Sequence, residues 1–572
     1  MRRGASASEN RFSRRAFLTQ VVGGGVALGV LSACGPSAPQ SPQNAGPAPT
    51  AVEKLNAPQS ISTAGAASTA AAQPTVAPAA AGTQPKGQFN YVWHTTISPA
   101  WFDPQENPPQ ITPYNFAYAL HDALVKHLPG QPFAPSLAES YEVAPDFTSA
   151  TFKLRQGIKF HNGDPVTPED VQFTFEHYRG ANAKVLHDKT ERIDLVDNRT
   201  IRFQFKSAFL DFLTLYGCAA SGAGWIVPKA YYQKVGADGF KQQPVGAGPY
   251  RFVSQQPGTQ VTLEAFTEYW RKTPNVKTIV MRGVAEEATR VALLQTGDAD
   301  VANLIPGQLL DAVRKDSRLR LAPVKAGPIW LELGALDKPD SPLKDIRVRQ
   351  AVSLAIDRKA FNDAEMGGMA PAEGNWIPED WPGAIARPAP TFDLARAKQL
   401  MTEAGVAEGF DVDKITPLPP YSSFAERIAS QLRAVNIRTQ VNNMERGAFY
   451  EQLAPGPNRL KGFVIQLSGE PGDAAARVRE NATCDGTFSG LCIPDVSDRM
   501  QRYDASTDAQ ERKKLLDEAQ SYLLDNYLMV PILRQALIHG LGPRLANSVE
   551  EIEGAIPQYV YIGPYEDIRL TD

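Results

Sequence analysis

YEVAPDFTSATFKLRQGIKFHNGDPVTPEDVQFTFEHYRG, Tyr141 to Gly180, carries a strand, turn and helix grammar that decides how the chain is built. Tyr141 to Gly157 places a Pro-Asp turn between two short runs, which predicts a β-hairpin. Asn162-Gly163 marks a second turn. Thr167-Pro168-Glu169-Asp170 then marks a helix start. Thr167 can cap, Pro168 suits the first helical position, and the two acids complement the positive helix end. Shortly afterwards IDLVDNRTIRFQFKSA, Ile193 to Ala208, repeats the hairpin form, with Ile201, Phe203 and Phe205 alternating about an Asp-Asn turn.

Farther along, helices dominate. DIRVRQAVSLAIDRKAF, Asp345 to Phe361, has Ile346, Val348, Ala351, Leu354 and Ala355 at helical spacing and predicts one amphipathic helix. FDLARAKQLMTEAGV repeats the form, with Asp393 as cap and Gly405 as stop. RIASQLRAVNIRTQVNN reads helix, turn, strand. QERKKLLDEAQSYLLDNYLMVPIL predicts a long helix ending before Pro531. Strands and helices interleave in both halves, so the fold class is mixed α/β with local hairpins. No internal repeat of fixed period is present.

The N-terminal stretch SRRAFLTQVVGGGVALGVLSACG, Ser13 to Gly35, has two arginines, an apolar run and a lone cysteine. Its apolar part is too short and glycine-rich for a spanning helix, which needs about 20 residues. Residues 1–33 therefore read as an export signal. Arg14-Arg15 resembles the twin-arginine export signal, and Leu31-Ser32-Ala33-Cys34 resembles a lipobox, in which Cys34 is lipidated; ordinary secretion is the alternative. Residues 34–87 are rich in Ala, Pro and Ser, cannot bury a core, and read as a disordered tether. The body begins near Phe89 and exceeds what one core holds, roughly 250–300 residues, so at least two lobes are expected.

Charge and cysteines narrow the function. The 572-residue chain has a formal charge of −4, which excludes a basic nucleic-acid binder. Removal of residues 1–33, with five arginines and one glutamate, makes it more negative still. Cys484 and Cys492 bracket the short loop CDGTFSGLC; a disulfide is expected outside the reducing cytoplasm, with two free thiols as the alternative. Their spacing fits no zinc pattern. Cys218, in LTLYGCAAS, reads as a small buried hydrophobe.

Enzymatic signatures are missing: there is no His-Glu-x-x-His, no Gly-x-Ser-x-Gly and no Gly-Lys-Ser/Thr phosphate loop. The seven histidines, His94, His121, His127, His161, His177, His187 and His539, form no helical i, i+4 pair, so no metal cage is expected, and direct binding of nickel requires distant histidines to converge; no cofactor is expected. Trp93, Tyr114, Trp330 and Trp376 lie near predicted loops and are candidate ligand contacts, although core packing competes for each. Their faces suit a peptide side chain or a sugar ring.

The ordered set of LRQGIKFHNGDPVTPEDV, PVGAGPYRF, TEYWRKTPNVKTIVMRGV, LLQTGDADVANL, DIRVRQAVSLAIDRKAF and the Cys484 to Asp498 region resembles the extracytoplasmic solute-binding proteins of the peptide/nickel class, family 5, which feed ATP-driven importers. That resemblance, from about Asn90 to Tyr565, implies two α/β lobes joined by a hinge, with the ligand enclosed between them. Carried onto this chain, lobe one is 89–323, with an extra subdomain at about 130–240; lobe two is 324–534; and 535–572 returns to lobe one. The family's Gly-Asp-Pro-like stretch, whose aspartate pairs with a peptide's amino terminus, matches LSGEPGDAAARVRE and implies Asp473, with the following proline missing. The arginine that dipeptide binders carry before the helix near Ser422 is absent from ITPLPPYSS. A longer peptide or an uncharged oligosaccharide is then favoured over a dipeptide. The resemblance further implies a monomer on the outer face of the cytoplasmic membrane, permease subunits of an ABC transporter as partners, and no catalysis. An exported enzyme and a sensor or chaperone-like lipoprotein are the readings from other classes.

Overall fold

The computed structural model describes residues 84–106, 111–180, 182–217, 223–334, 336, 340–453, 460–467, 473–486, 488–552 and 562–571. The expectations for the export signal, the lipobox at Cys34, most of the tether, and Cys218 lie outside the described residues.

Ten strands form one sheet, in the order Ile437–Val441, Phe410–Pro417, Phe463–Leu467, Arg320–Leu333, Met529–Leu541, Val301–Ala302, Lys86–Trp93, Val276–Gly283, Gln260–Ala265 and Tyr250–Gln256. Near one end, Lys86–Trp93 runs parallel to Val276–Gly283 and Val301–Ala302. Near the other, Phe410–Pro417 runs parallel to Ile437–Val441 and Phe463–Leu467. The two parallel groups are joined through the long antiparallel pair Arg320–Leu333 and Met529–Leu541. The protein is thus a two-lobed α/β molecule with these two strands as its hinge.

Packing explains why the hinge strands serve both lobes. Ala322, Val324 and Ala326 join a core with Phe89, Tyr91, Trp93 and Tyr114. Past an irregularity between Lys325 and Pro328 the same strand changes company. Ile329, Leu331 and Leu333 pack with Val348, Val352, Ile428 and Leu432. Trp330, on the opposite face, packs with Trp376, Trp381 and Val478. A bulge redirects side chains without ending the ladder, so one strand can anchor two cores.

The paired hairpins occupy a separate four-stranded antiparallel sheet, ordered Ala138–Val143, Ser149–Leu154, Thr200–Phe205 and Thr190–Leu195. Phe152 stands opposite Ile201, and Ala150 opposite Phe203. Burial alternates along both central strands, as a sheet covered on one face requires. The helix Pro168–His177 starts in a capping box, with Thr167 and Asp170 satisfying each other's backbone amides. Such a cap contributes about 1 kcal/mol. Val171 and Phe175 of this helix enter the same core as Phe152 and Phe203.

One sequence expectation needs correction. The segment 345–361 is two helices, Ile346–Leu354 and Arg358–Met366, because Asp357 turns out of the helix and caps the second, accepting from the Ala360 amide at 2.9 Å. The last long helix, Ala509–Asp525, stops before Pro531 as expected, and Pro531 itself lies inside the strand Met529–Leu541. Every residue of that strand is buried. A strand covered on both faces reads as a continuous apolar run, which periodicity does not distinguish from helix.

Candidate functional site

In open α/β sheets, ligands bind beyond the carboxyl ends of parallel strands, where backbone groups and loop side chains converge. Here the carboxyl ends of both parallel groups border one cavity of about 440 Å³. From one lobe come His94, just after Lys86–Trp93; Ala285 and Arg290, after Val276–Gly283; and Leu304 to Gln308, after Val301–Ala302. From the other come Leu418, Pro420 and Tyr421, after Phe410–Pro417, with Leu467 at the end of Phe463–Leu467. Gln535 to Ile538 of the second hinge strand also line it. The volume lies within the usual range for small-molecule sites, about 300–1,000 Å³.

The walls mix apolar and charged groups. Arg290 is 2 % exposed. Its guanidinium donates to the carbonyls of Val284, Ala285, Asn303 and Leu304 at 2.8–2.9 Å, which ties two strand ends together. His94 Nδ1 lies 2.8 Å from Asn303 Oδ1. Burial, with Arg290 and Arg446 nearby, brings its pKa down to about 4, so the ring is neutral at physiological pH. Glu365 accepts from Arg427 at 2.9 Å and from Ser423 Oγ at 3.0 Å. The Tyr421 and Phe424 rings stack at 4.9 Å. Arg446 lies 5.9 Å from the Tyr450 ring centre. With Ser423 bonded to Glu365 and His94 facing Asn303, these cleft residues assemble no serine–histidine nucleophile pair. The arrangement suits reversible enclosure of a small organic molecule.

The residues singled out from sequence fall elsewhere. Trp93 packs edge-on against Tyr91 at 4.9 Å and Phe116 at 5.6 Å, and Tyr114 shares that core. Trp330 and Trp376 are brought together, ring centres 5.5 Å apart, with Trp330 Nε1 donating to Glu332 Oε1 at 3.2 Å. All four are at most 1 % exposed, and none lines the cavity. Asp473 caps the helix Ala474–Ala482, accepting from the Ala476 amide at 2.8 Å, and also accepts from Thr214 Oγ1 at 3.0 Å. Its pKa is raised by burial and by the Asp211 carboxylate. Cys484 and Cys492 are joined by a disulfide. His161 is built into the turn, its ring taking the Gly246 amide at 3.3 Å and meeting the Gly248 carbonyl at 3.0 Å.

Sequence reading missed Arg290, Tyr421, Arg446 and Tyr450, and treated His94 only as one histidine of seven. The available signal was position just beyond parallel strands, usable only once strand direction is known. Among the described residues no group of three or more His, Cys, Asp or Glu side chains could hold a metal ion, and no helix is long and apolar enough to cross a membrane.

Comparison with known proteins follows the same geometry. The family model described as bacterial extracellular solute-binding proteins, family 5 middle, matches residues 132–460. Di/tripeptide-binding protein 2 of Pseudomonas aeruginosa is 27% identical over 490 residues, covering 77% of this chain and 88% of that protein. Heme-binding protein A of Haemophilus influenzae is 24% identical over 522 residues, covering 82% and 91%. Among solved structures, the ABC transporter substrate-binding protein CtaP of Listeria monocytogenes superposes with a TM-score of 0.73 at 19% identity, covering 86% of this chain and all of that one.

Proposed function

The chain belongs to the bacterial extracellular solute-binding proteins of family 5, and from that premise we propose that it captures a small solute, an oligopeptide before others, between its lobes and delivers it to an ABC importer. The observation that carries this reading is the cavity bordered by the carboxyl ends of both parallel strand groups and by a hinge strand. A ligand there touches both lobes at once, so it stabilises the closed arrangement over the open one, and closure is what a transporter can read. No step of this cycle needs catalysis, and we assign none.

Relatives named for di- and tripeptides support the peptide class. A heme-binding relative, together with the aromatic and aliphatic part of the wall, supports a second reading, an oligosaccharide or other organic solute. Asp473 remains our candidate for a ligand's amino group. Trp93, Tyr114, Trp330 and Trp376 fit better as packed supports of the walls than as direct contacts, given their burial.

The rest of the proposal concerns place and partners. Lobe limits are those of 89–323, 324–534 and 535–572, with the extra subdomain at about 130–240. The protein is a monomer on the outer face of the cytoplasmic membrane, held through Cys34 and engaging permease subunits. One acyl chain binds a membrane only weakly, so a stable anchor at Cys34 carries more than one.

Native mass spectrometry of the body from Lys86 onward, purified gently from its own cells, tests the reading. Release of short peptides is the expected result. Release of a sugar or another organic molecule moves the substrate to the second reading, and a product chemically altered on the protein overturns the binding function.

A further inference from the structure

The Cys484–Cys492 loop stands behind one wall of the cleft. The Cys484 amide donates to Ser497 Oγ at 2.9 Å, and the Phe488 amide donates to the Glu480 carbonyl at 2.9 Å. Gln466 Nε2, on the strand that ends at the cavity, donates to the Phe488 carbonyl at 3.2 Å and also to the buried Glu332 carboxylate of the first hinge strand. The loop is therefore held from three sides: by the helix after Asp473, by the helix carrying Ser497, and by the central sheet.

What the loop presents is an aromatic ring. Phe488 meets the ring of Tyr450 edge to face, centres 5.6 Å apart. Tyr450 and Arg446 line the cavity from the short helix Arg446–Leu453, the guanidinium lying 5.9 Å from the Tyr450 ring centre. On the cavity side a ligand can push on Tyr450; on the far side Phe488 opposes that push. An eight-residue helix is too short to hold itself, so its position depends on what packs against it. At Gly490 the loop passes so close to the buried Glu332 carboxylate that a Cβ there would displace it.

We propose that the Cys484–Cys492 loop is a buttress for the ligand cleft: Phe488 is a positioning residue that sets Tyr450 and Arg446, and the disulfide holds Phe488 in place. This deepens the solute-binding reading above and rests on it. The disulfide's task is then to preserve affinity, beyond any contribution to the stability of the fold. A loop released from its bond keeps its sequence but no longer opposes displacement of Tyr450.

The test uses full-length protein in detergent with three variants: Phe488→Ala, Phe488→Tyr, and the double variant C484S/C492S. Hydrogen exchange of the Arg446–Leu453 amides is measured without ligand, and trialanine serves as the binding probe in calorimetry. Loss of one aromatic contact corresponds to a roughly three- to tenfold change. Phe488→Ala and C484S/C492S should speed exchange of that helix by this factor while exchange in Pro168–His177 stays unchanged, and should weaken trialanine binding to match. Phe488→Tyr should restore both. Wild-type exchange in folded Phe488→Ala overturns the buttress, and so does faster exchange spread through the whole protein, which marks a structural role alone. If C484S/C492S does not fold, Phe488→Ala decides. If wild type does not bind trialanine, the peptide reading fails separately and the exchange comparison still decides the buttress.

Discussion

Thr214 donates its hydroxyl hydrogen to the Asp473 carboxylate at 3.0 Å, a bond between residues 259 positions apart. Beside it Arg479 reaches Asp211 at 3.1 Å and Asp504 at 2.7 Å. The helix Phe212–Tyr216 and the helix Ala474–Ala482 are thereby clasped by two polar contacts. On the lobe limits proposed above, Asp211 and Thr214 belong to the first lobe and Asp473, Arg479 and Asp504 to the second, so on that proposal the clasp joins the two lobes.

Arg479 pairs with Asp211 and Asp504 and lies beside the third carboxylate, Asp473. Arg479→Met should leave Asp211, Asp473 and Asp504 repelling one another. Because the group is only partly exposed, the expected loss is roughly 2–4 kcal/mol. Urea unfolding reads the stability, and small-angle scattering should show a larger radius of gyration for the unliganded variant. An unchanged radius would remove the clasp as a closing contact.

Asp473→Asn keeps the cap, since asparagine serves as well as aspartate at that position. It also removes the repulsion from Asp211 that raises the pKa of Asp473. Stability should therefore stay level or rise slightly. Peptide affinity should fall by about tenfold or more if the carboxylate pairs with a ligand ammonium group. Titration with a free peptide and with its N-acetylated form separates the outcomes: equal losses for both forms exclude the ammonium contact.

Glu373 accepts from Arg534 of the second hinge strand at 3.3 Å, yet burial and the neighbouring Asp380 raise its pKa to about 7. A carboxyl whose folded pKa exceeds its unfolded value stabilises most below the unfolded value. That contribution disappears as pH rises through the folded value. Between pH 4.5 and 7 the loss amounts to on the order of 3 kcal/mol. Glu373→Gln should flatten the stability profile over this window in thermal unfolding, and a profile identical to wild type would refute the assignment.

Three histidines act in the opposite sense. Burial lowers the pKa of His94 and His121 to about 4 and of His161 to about 3. A depressed histidine contributes stability above its unfolded value near 6.5, and this is lost as pH falls toward the folded value. Acid unfolding should therefore begin below pH 6.5. Proton NMR should find the three rings neutral at pH 5.5, and a charged His161 signal there would contradict its place in the turn.

Cys34→Ala should release the protein from the membrane into the soluble fraction on cell fractionation. Retention of the variant on membranes would end the lipoprotein assignment.

Much of the architecture was legible locally. The hairpins around Asp146 and Asn198, the helix start at Thr167, the Asp393 cap and the turn at Asn162 each depend on neighbours a few residues away, and each stands in the structure as read. Asp357 misled because a residue suited to capping was placed inside an apolar period that continued past it. The helix end before Pro531 was legible, but the strand Met529–Leu541 that holds Pro531 was not, because a doubly covered strand leaves no alternation to read. The candidate aromatics were large and near loops, but size favours burial as much as binding, and Trp93, Tyr114, Trp330 and Trp376 were all taken by cores.

By itself, the sequence determined the α/β class, the local caps and turns, and, through an ordered set of motifs, the family. These depend on short-range sterics, periodicity and pattern. Only the tertiary structure decided that His94, Arg290, Tyr421 and Arg446 share one cavity, that Thr214 meets Asp473, and that Phe488 stands behind Tyr450. Those juxtapositions follow from strand direction, from the bulge in the Arg320–Leu333 hinge strand and from the loop that the disulfide closes. They bring together residues tens to hundreds of positions apart, where no local preference of the chain can act.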